Sequence, residues 1–145
     1  MRAPADPEAL ARACADVMWA DDRASQALGI AIEAVAPGNA RLAMTVAEQM
    51  VNGHGLYHGG FLFALADSAM AFACNTYNER TVAQHCSITY LRPAKLGMRL
   101  VATAVEKSRA GRTGIFDVSV IADAGVVIAE FRGVTRGLGS RFFED

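Results

Sequence analysis

Cysteine is scarce in this sequence, and its three examples, Cys14, Cys74 and Cys86, form neither a CxxC pair nor an even-numbered set. This pattern excludes a disulfide framework and the paired thiolates of a structural zinc site. Reduced thiols pack as small apolar groups, so we expect Cys74 and Cys86 to lie in the core. The lack of a disulfide framework predicts a reducing, cytoplasmic location.

Long apolar runs are also missing. The longest one covers residues 61–74 and is interrupted by Asp67, whereas a membrane-spanning helix needs about 20 apolar residues. The first residues carry acids and lack the apolar segment of a secretory signal. We therefore predict neither a membrane span nor a signal peptide.

Neither sign of charge dominates, since 14 basic residues balance 15 acidic ones and the net charge is -1. A near-neutral chain has no general attraction to nucleic acid, so no nucleic-acid partner is expected. The distribution is uneven, because residues 80–145 hold ten of the basic groups and six of the acidic ones. This half of the chain is predicted to suit an anionic ligand.

Apolar residues make up 52% of the 145 residues, which is enough for the core of one domain spanning residues 1–145. Helical spacing predicts an amphipathic helix over residues 8–20, in a helical extension at about 7–24. A second helix, residues 61–76, is apolar on nearly every side and therefore has to be covered by other elements.

A sheet is the element that can cover this helix. Two-residue alternation and turn signals predict six strands, at residues 28–35, 40–46, 82–91, 100–105, 115–121 and 126–135. The first two strands flank the turn at Pro37 and Gly38 and form a hairpin. Six strands and one central helix predict an α+β fold.

Asp67 lies in the middle of the apolar helix. An ionised carboxylate buried without partners costs several kcal/mol, so we expect this one to lie beside a partner or a cavity. The alternative is an ordinary helix residue that points to solvent. Ser68 and Asn75 are the other polar members of the helix, and Asn75 falls two turns after Asp67 on a similar face.

Gly59 and Gly60 open the same helix. Free N–H groups at a helix N-terminus stabilise a developing oxyanion, and glycine lets a substrate approach the main chain closely. An acid with an oxyanion donor is the minimum set for acyl-group hydrolysis. Gly59 and Asp67 are separated by roughly 12 Å along the helix axis, so we predict that two copies pair their helices antiparallel and share each site.

Four short motifs carry a family resemblance: Asn52-Gly53-His54, His58-Gly59-Gly60, Leu65-Ala66-Asp67-Ser68-Ala69 and Tyr90-Leu91-Arg92-Pro93. With this spacing the chain resembles the hotdog-fold thioesterases, and most of all the PaaI-type branch associated with phenylacetate degradation, over about residues 25–137. The resemblance implies a six-stranded antiparallel sheet wrapped around one long helix. It also implies hydrolysis of small, aromatic acyl-CoA thioesters by homodimers that pair into homotetramers.

The resemblance also implies roles for single residues. Asp67 matches the catalytic carboxylate, as nucleophile or general base, and Gly59 matches the residue whose N–H polarises the thioester carbonyl. Asn52 matches a loop residue that helps to place the attacking group. His58 matches the histidine that orders the diglycine turn, in a structural or a catalytic-support role. No metal is implied, and no cofactor beyond the coenzyme A of the substrate.

Several further residues are candidates for binding the substrate. Related aromatic-acyl thioesterases with a glutamate in the helix often carry a hydroxyl residue one turn after it, where this chain has Ala71, so Ser68 offers the nearby hydroxyl and Gly60 the close backbone approach. A further group of basic residues is expected to cluster around two adjacent turns: Arg92, Lys95, Lys107, Arg109 and Arg112. They form either a solvated surface or a site for the phosphates of coenzyme A.

Two alternative functions stay open. A hotdog dehydratase or hydratase would need an acid and a histidine poised together at the acyl chain, and would give an enoyl thioester without free thiol. A non-catalytic acyl-CoA sensor would bind without turnover. A transcriptional sensor would carry a DNA-binding module, for which the first 28 residues are too few and too acidic.

Overall fold

The computed structural model describes residues 1–145 and begins with two helices, α1 (Pro7–Asp21) and α2 (Arg23–Ala27). The prediction of a helix over residues 8–20 is confirmed. The helical extension continues to Ala27 because Asp22 ends α1 and caps α2, its carboxylate accepting hydrogen bonds from the backbone N–H and the hydroxyl of Ser25.

Six strands form one antiparallel sheet in the order β1-β2-β4-β5-β6-β3. They are β1 (Ala31–Ala36), β2 (Asn39–Thr45), β3 (Thr81–Tyr90), β4 (Arg99–Ala110), β5 (Thr113–Ile121) and β6 (Val127–Gly137). The predicted strand count and the leading hairpin are both confirmed. No helix of the chain is long and apolar enough to cross a bilayer.

The central helix, α3 (Gly59–Cys74), packs against the concave face of this sheet, as the predicted fold class requires. Its buried side chains include Leu65, Met70 and Phe72, which belong to one continuous apolar core. The helix comes very close to β6 at Gly133, where an added β-carbon would collide with the thioether of Met70. Glycine at this position therefore sets how tightly the helix seats on the sheet.

Strand β3 forms one edge of the sheet and has a strand neighbour, β6, on one side only. A bulge at Gln84 interrupts its register. Beyond the bulge, Cys86 and Ile88 pack against the core beneath the sheet, while Ser87 is exposed on the outer face. This alternation brings one side of β3 towards α3.

The β4–β5 hairpin is longer than the sequence indicated, because β4 continues to Ala110 instead of ending near Val105. A bulge at Lys107 shifts the register within this arm. The extra residues, 106–110, lie at the half-exposed or exposed end of the strand, so no apolar alternation marks them.

Asn75 belongs to the helix terminus and not to the site. Its side-chain amide donates to the carbonyl oxygens of Ala71 and Thr81 and accepts from the Thr81 N–H. The residue is buried and joins the end of α3 to the start of β3. The side-chain amide of Asn75 therefore has a structural role.

Candidate active site

Asp67 occupies the third turn of α3 and is partly buried. Its carboxylate makes no ion pair, and its one hydrogen-bond partner in the protomer is the thiol of Cys86 on β3, with 3.9 Å between the sulfur and Oδ1. Burial raises the pKa of this carboxyl above its ordinary value, and the hydrogen bond from Cys86 lowers it in part. The protomer therefore supplies the acid with no cation to neutralise it.

His58 is the N-cap of α3. Its Nδ1 accepts a hydrogen bond from the Gly60 N–H at 2.9 Å, so in this arrangement Nδ1 carries no proton. The His58 carbonyl accepts from the N–H groups of Phe61 and Leu62, which completes the first turn. Histidine is an unusual N-cap residue, and sequence reasoning identified its ordering role only through the family resemblance.

The Gly59 N–H has no acceptor in the protomer, since none of its hydrogen bonds uses this group. The first N–H groups of any helix lack partners within the helix, and the macrodipole makes them favourable sites for negative charge. With the Gly60 N–H taken by His58, Gly59 is the donor at the diglycine that stays free for a substrate oxygen.

Tyr90, at the end of β3, holds the start of α3. Its hydroxyl donates to the Gly59 carbonyl at 2.9 Å. A β-carbon at Gly59 would lie only 3.0 Å from the Tyr90 hydroxyl oxygen and ring. In the sequence Tyr90 stands out only as part of a motif, because no local pattern indicates a contact between residues 31 positions apart.

Asn52 organises the loop that leads to α3. Its side-chain oxygen accepts from the N–H groups of His54 and Leu56, at 2.9 and 3.2 Å. The side-chain nitrogen makes no hydrogen bond in the protomer and remains available as a donor. Asn52 therefore combines a loop-structuring role with a free amide group.

Within one protomer, Gly59 and Asp67 are not brought together. Both lie on the regular helix α3, eight residues apart, which separates them by about 12 Å along its axis. A reacting carbonyl within about 3 Å of both groups is therefore impossible in a single chain.

The hydroxyl of Ser68 is not a hydrogen-bond partner of Asp67. It is 3.0 Å from the hydroxyl of Ser25, which in turn donates to Asp22. Ser68 thus ties α3 to the N-terminal helices.

The side chain that does face the acid is Cys86, which was expected from the sequence to pack in the core. No local pattern in the sequence determines which helix residue Cys86 meets.

The prediction that the basic residues cluster is wrong. Arg92 follows β3 and donates to the carbonyl of Val127, at the sheet end where Tyr90 meets Gly59. Arg109 and Arg112 lie at the β4–β5 turn, at the opposite end, because β4 runs antiparallel to β3. The length of β3 separates these two ends of the sheet, and its ten residues span about 30 Å.

The two arginines of the β4–β5 turn differ in their contacts. The Arg109 guanidinium stacks 3.7 Å from the ring centroid of Tyr77 and pairs with Glu106. Arg112 pairs with no carboxylate and lines a cavity of about 560 Å³ near both chain termini. No group of three or more His, Cys, Asp or Glu side chains is arranged to hold a metal ion.

Comparison with known proteins adds independent information. The model of the thioesterase superfamily matches residues 54–129. Acyl-coenzyme A thioesterase PaaI of Escherichia coli (strain K12) is 41% identical over 125 residues, which are 86% of this chain and 89% of that relative. Acyl-coenzyme A thioesterase 13 of Homo sapiens is 39% identical over 77 residues, which are 52% of this chain and 55% of that protein.

Solved structures are also similar. The structure of the E. coli PaaI protein, from the phenylacetic acid degradation operon, has a TM-score of 0.92 at 38% identity and covers 94% of this chain and 99% of its own. A mutant of the phenylacetic acid degradation protein PaaI from Thermus thermophilus has a TM-score of 0.78 at 41% identity, covering 81% of this chain and 100% of that one. The family model, the aligned relatives and the superposed structures agree: the chain belongs to the thioesterase superfamily, in the PaaI-type branch of the hotdog-fold acyl-CoA thioesterases.

Proposed function

We propose that this protein hydrolyses acyl-CoA thioesters of small aromatic acids, of the phenylacetyl or hydroxyphenylacetyl type, to the free acid and coenzyme A. The observation that carries the proposal is the Asp67 carboxylate, which lies in an apolar helix without a cation partner. A fold gains no stability from such a group, and acids with perturbed pKa values are concentrated at functional sites. The free Gly59 N–H supplies the second component.

The chemistry needs one proton acceptor and one oxyanion donor. Asp67 as general base takes a proton from water, and the water oxygen adds to the thioester carbonyl carbon. The carbonyl oxygen becomes negative beside the Gly59 N–H; one such donor is typically worth about 10²–10³ in rate. Collapse of the adduct breaks the C–S bond, and the coenzyme A thiolate leaves and takes up the proton.

A nucleophilic route uses the same residues. Asp67 attacks the carbonyl directly, coenzyme A leaves, and water hydrolyses the resulting mixed anhydride. Asn52 and His58 support either route, Asn52 through its free amide nitrogen and His58 by keeping the diglycine turn in place. Label found in Asp67 after a single turnover in water labelled with heavy oxygen would assign the nucleophilic route, with water attacking the aspartyl carbon of the anhydride.

We infer that each reaction centre is shared between two subunits. Strand β3 offers ten residues with an unpaired edge, a feature that pairs readily with another strand. Two copies joined there, with their α3 helices antiparallel, would bring Gly59 of one chain towards the acid of its neighbour. The proposed assembly is a homodimer, and two such dimers form a homotetramer.

The choice of acyl group rests on the relatives. Two matched structures are described as proteins of phenylacetic acid degradation, and we carry this over to the present chain as a proposal. Gly60 would let the acyl group approach the main chain, while Ser68 would act through packing of α3 rather than through direct contact. The proposed enzyme acts in the cytoplasm and needs no metal or cofactor.

The basic residues provide candidate contacts for the coenzyme A phosphates. Arg112 supports this role best, because its guanidinium has no carboxylate partner and lines an open cavity. Arg92 and Arg109 have their charge partly engaged by a carbonyl or by Glu106. Charge-assisted contacts with phosphate suit arginine, so Arg112→Ala should raise KM for acyl-CoA more than Arg92→Ala or Arg109→Ala does.

The decisive experiment measures free thiol released from phenylacetyl-CoA, acetyl-CoA and a long-chain acyl-CoA by the wild-type protein and by Asp67→Asn. We expect hydrolysis of phenylacetyl-CoA by the wild type and a loss of about 10³ or more in kcat in the variant. Size-exclusion chromatography of Asp67→Asn serves as the control, because its assembly should be unchanged.

Other outcomes identify the alternative functions. Full hydrolysis by Asp67→Asn would remove the proposal. A new ultraviolet band of an enoyl thioester without free thiol would assign a dehydratase. Tight binding of acyl-CoA with no turnover would assign a sensor.

A further inference from the structure

Cys86 and Asp67 face each other across the gap between β3 and α3. The sulfur lies 3.9 Å from the carboxylate oxygen Oδ1, and Cys86 belongs to the helix-facing side of the strand, next to the apolar core. A protonated thiol is a weak hydrogen-bond donor, and an ionised carboxylate only accepts. The direction of the hydrogen bond is therefore fixed, from Cys86 to Asp67.

Few other groups compete for this carboxylate. Among the titratable side chains of the protomer, the two that interact with Asp67 are the thiols of Cys86 on β3 and Cys74 at the end of α3. Cys74 contacts the Ala71 carbonyl and the Asn75 amide instead of the acid. No lysine, arginine or histidine pairs with Asp67 from β2, β4, β5 or β6.

The geometry points to Cys86 as a positioning residue for the reaction: its thiol holds the Asp67 carboxylate in one orientation and favours the ionised form. This inference rests on the proposed function of Asp67 and names the group that prepares the acid for it. The oxygen Oδ1 is held by the thiol, which leaves Oδ2 to accept the proton of water or to attack the thioester.

The protonation state of the thiol fits this role. Burial, together with the neighbouring Asp67 charge, raises the pKa of Cys86 above its ordinary value of 9.0. The thiol therefore keeps its proton, and remains a donor, throughout the neutral range where Asp67 has to be ionised. The two groups reinforce these states, because the carboxylate disfavours the thiolate and the thiol favours the carboxylate.

The test compares Cys86→Ala and Cys86→Ser with the wild type. Hydrolysis of phenylacetyl-CoA is followed by the loss of thioester absorbance, because a disulfide reagent would also react with protein thiols. Without the donor, the pKa of Asp67 should rise, so the acid limb of the kcat/KM profile of Cys86→Ala should move to higher pH. Serine keeps a polar donor on a bond shorter than C–S, which leaves its oxygen farther from Oδ1 than the sulfur is, so its limb should move no further than that of Cys86→Ala, with KM unchanged in both variants.

Ser87→Ala is the matched control. Ser87 neighbours Cys86 on the same strand but is exposed on the outer face of the sheet, and its variant should keep the wild-type pH profile. Thermal unfolding of all three variants checks that the fold persists. An acid limb of Cys86→Ala that coincides with the wild-type limb would overturn the inference.

A titration without turnover separates this inference from the proposed function. Carbon NMR of labelled aspartate carboxyls reports the pKa of Asp67 directly, with its signal assigned by its absence in Asp67→Asn. A higher pKa in Cys86→Ala supports the positioning role even if phenylacetyl-CoA is not a substrate, and an unchanged pKa refutes it. Failure of the wild type to hydrolyse any acyl-CoA would count against the proposed function alone.

Discussion

The Tyr90 hydroxyl donates to the Gly59 carbonyl at 2.9 Å, and the Tyr90 ring fills the space where a side chain at Gly59 would begin. The end of the edge strand β3 is thereby fixed to the first residue of α3. The free N–H proposed to receive the thioester oxygen belongs to this same residue. A contact between β3 and the helix start therefore determines where the proposed oxyanion donor lies.

Gly59→Ala should damage both stability and activity. The new β-carbon would lie 3.0 Å from the Tyr90 ring and hydroxyl oxygen, an overpacking that typically costs about 1–3 kcal/mol. We expect a lower free energy of unfolding in a denaturant titration and a fall in kcat of about tenfold or more, since the donor moves away from the carbonyl oxygen. Gly53→Ala is the control, because open space surrounds Gly53; equal behaviour of the two variants would contradict the prediction.

His58 can be tested through two substitutions with different capping ability. His58→Ala removes the acceptor of the Gly60 N–H, and loss of an N-cap typically costs about 0.5–2 kcal/mol. His58→Asn supplies an efficient capping side chain and should recover most of this stability in thermal unfolding. If activity returns together with stability in His58→Asn, the role of the imidazole is structural. Restored stability with low activity would show that the ring also supports catalysis.

Asp67→Asn should stabilise the fold at neutral pH. Burial raises the pKa of Asp67 above 3.8 in the folded protein, so the folded state binds this proton more tightly than the unfolded state does. Asp67 therefore contributes its full stabilisation to the wild-type fold at pH values below its pKa in the unfolded state. This stabilisation is lost as the pH rises through the pKa of Asp67 in the folded state. The melting temperature of Asp67→Asn, relative to wild type, should increase from about pH 4 to pH 7. A variant less stable than wild type at pH 7 would contradict this.

Mixing two inactive variants tests the shared site. A mixed dimer of Asp67→Asn and Gly59→Val contains one site with both defects and one with neither, if each site takes its acid and its donor from different chains. After unfolding and joint refolding in equal amounts, roughly a quarter of the wild-type activity should return. Each variant refolded alone is the control. No recovery in a mixture whose mixed dimers are verified by mass spectrometry would refute the shared site.

Much of the fold follows from local patterns in the sequence. The apolar helix around Leu65 is a strong signal, and so is the alternation along β5 and β6, because one face of each of these two strands is buried. The end of β4 was missed because residues 106–110 carry no buried face. The short helix α2 was also missed, although Asp22 followed by Ser25 is a capping pattern that signals it.

The candidate site was predictable only in part. An acid in an apolar helix and glycines at its start are visible in one dimension, and Asp67 and Gly59 were both identified from them. The contacts that complete the site, Cys86 with Asp67 and Tyr90 with Gly59, join positions 19 and 31 residues apart. Such pairs depend on strand register and helix rotation, which no local pattern determines.

The close packing of α3 on β6 at Gly133 limits the substitutions that this sequence can accept during evolution. A β-carbon at position 133 would collide with the thioether of Met70, so a substitution there requires the Met70 side chain to turn away or position 70 to become smaller. Residues 70 and 133 are therefore expected to covary, and a library that randomises both together should yield folded pairs that neither single library contains.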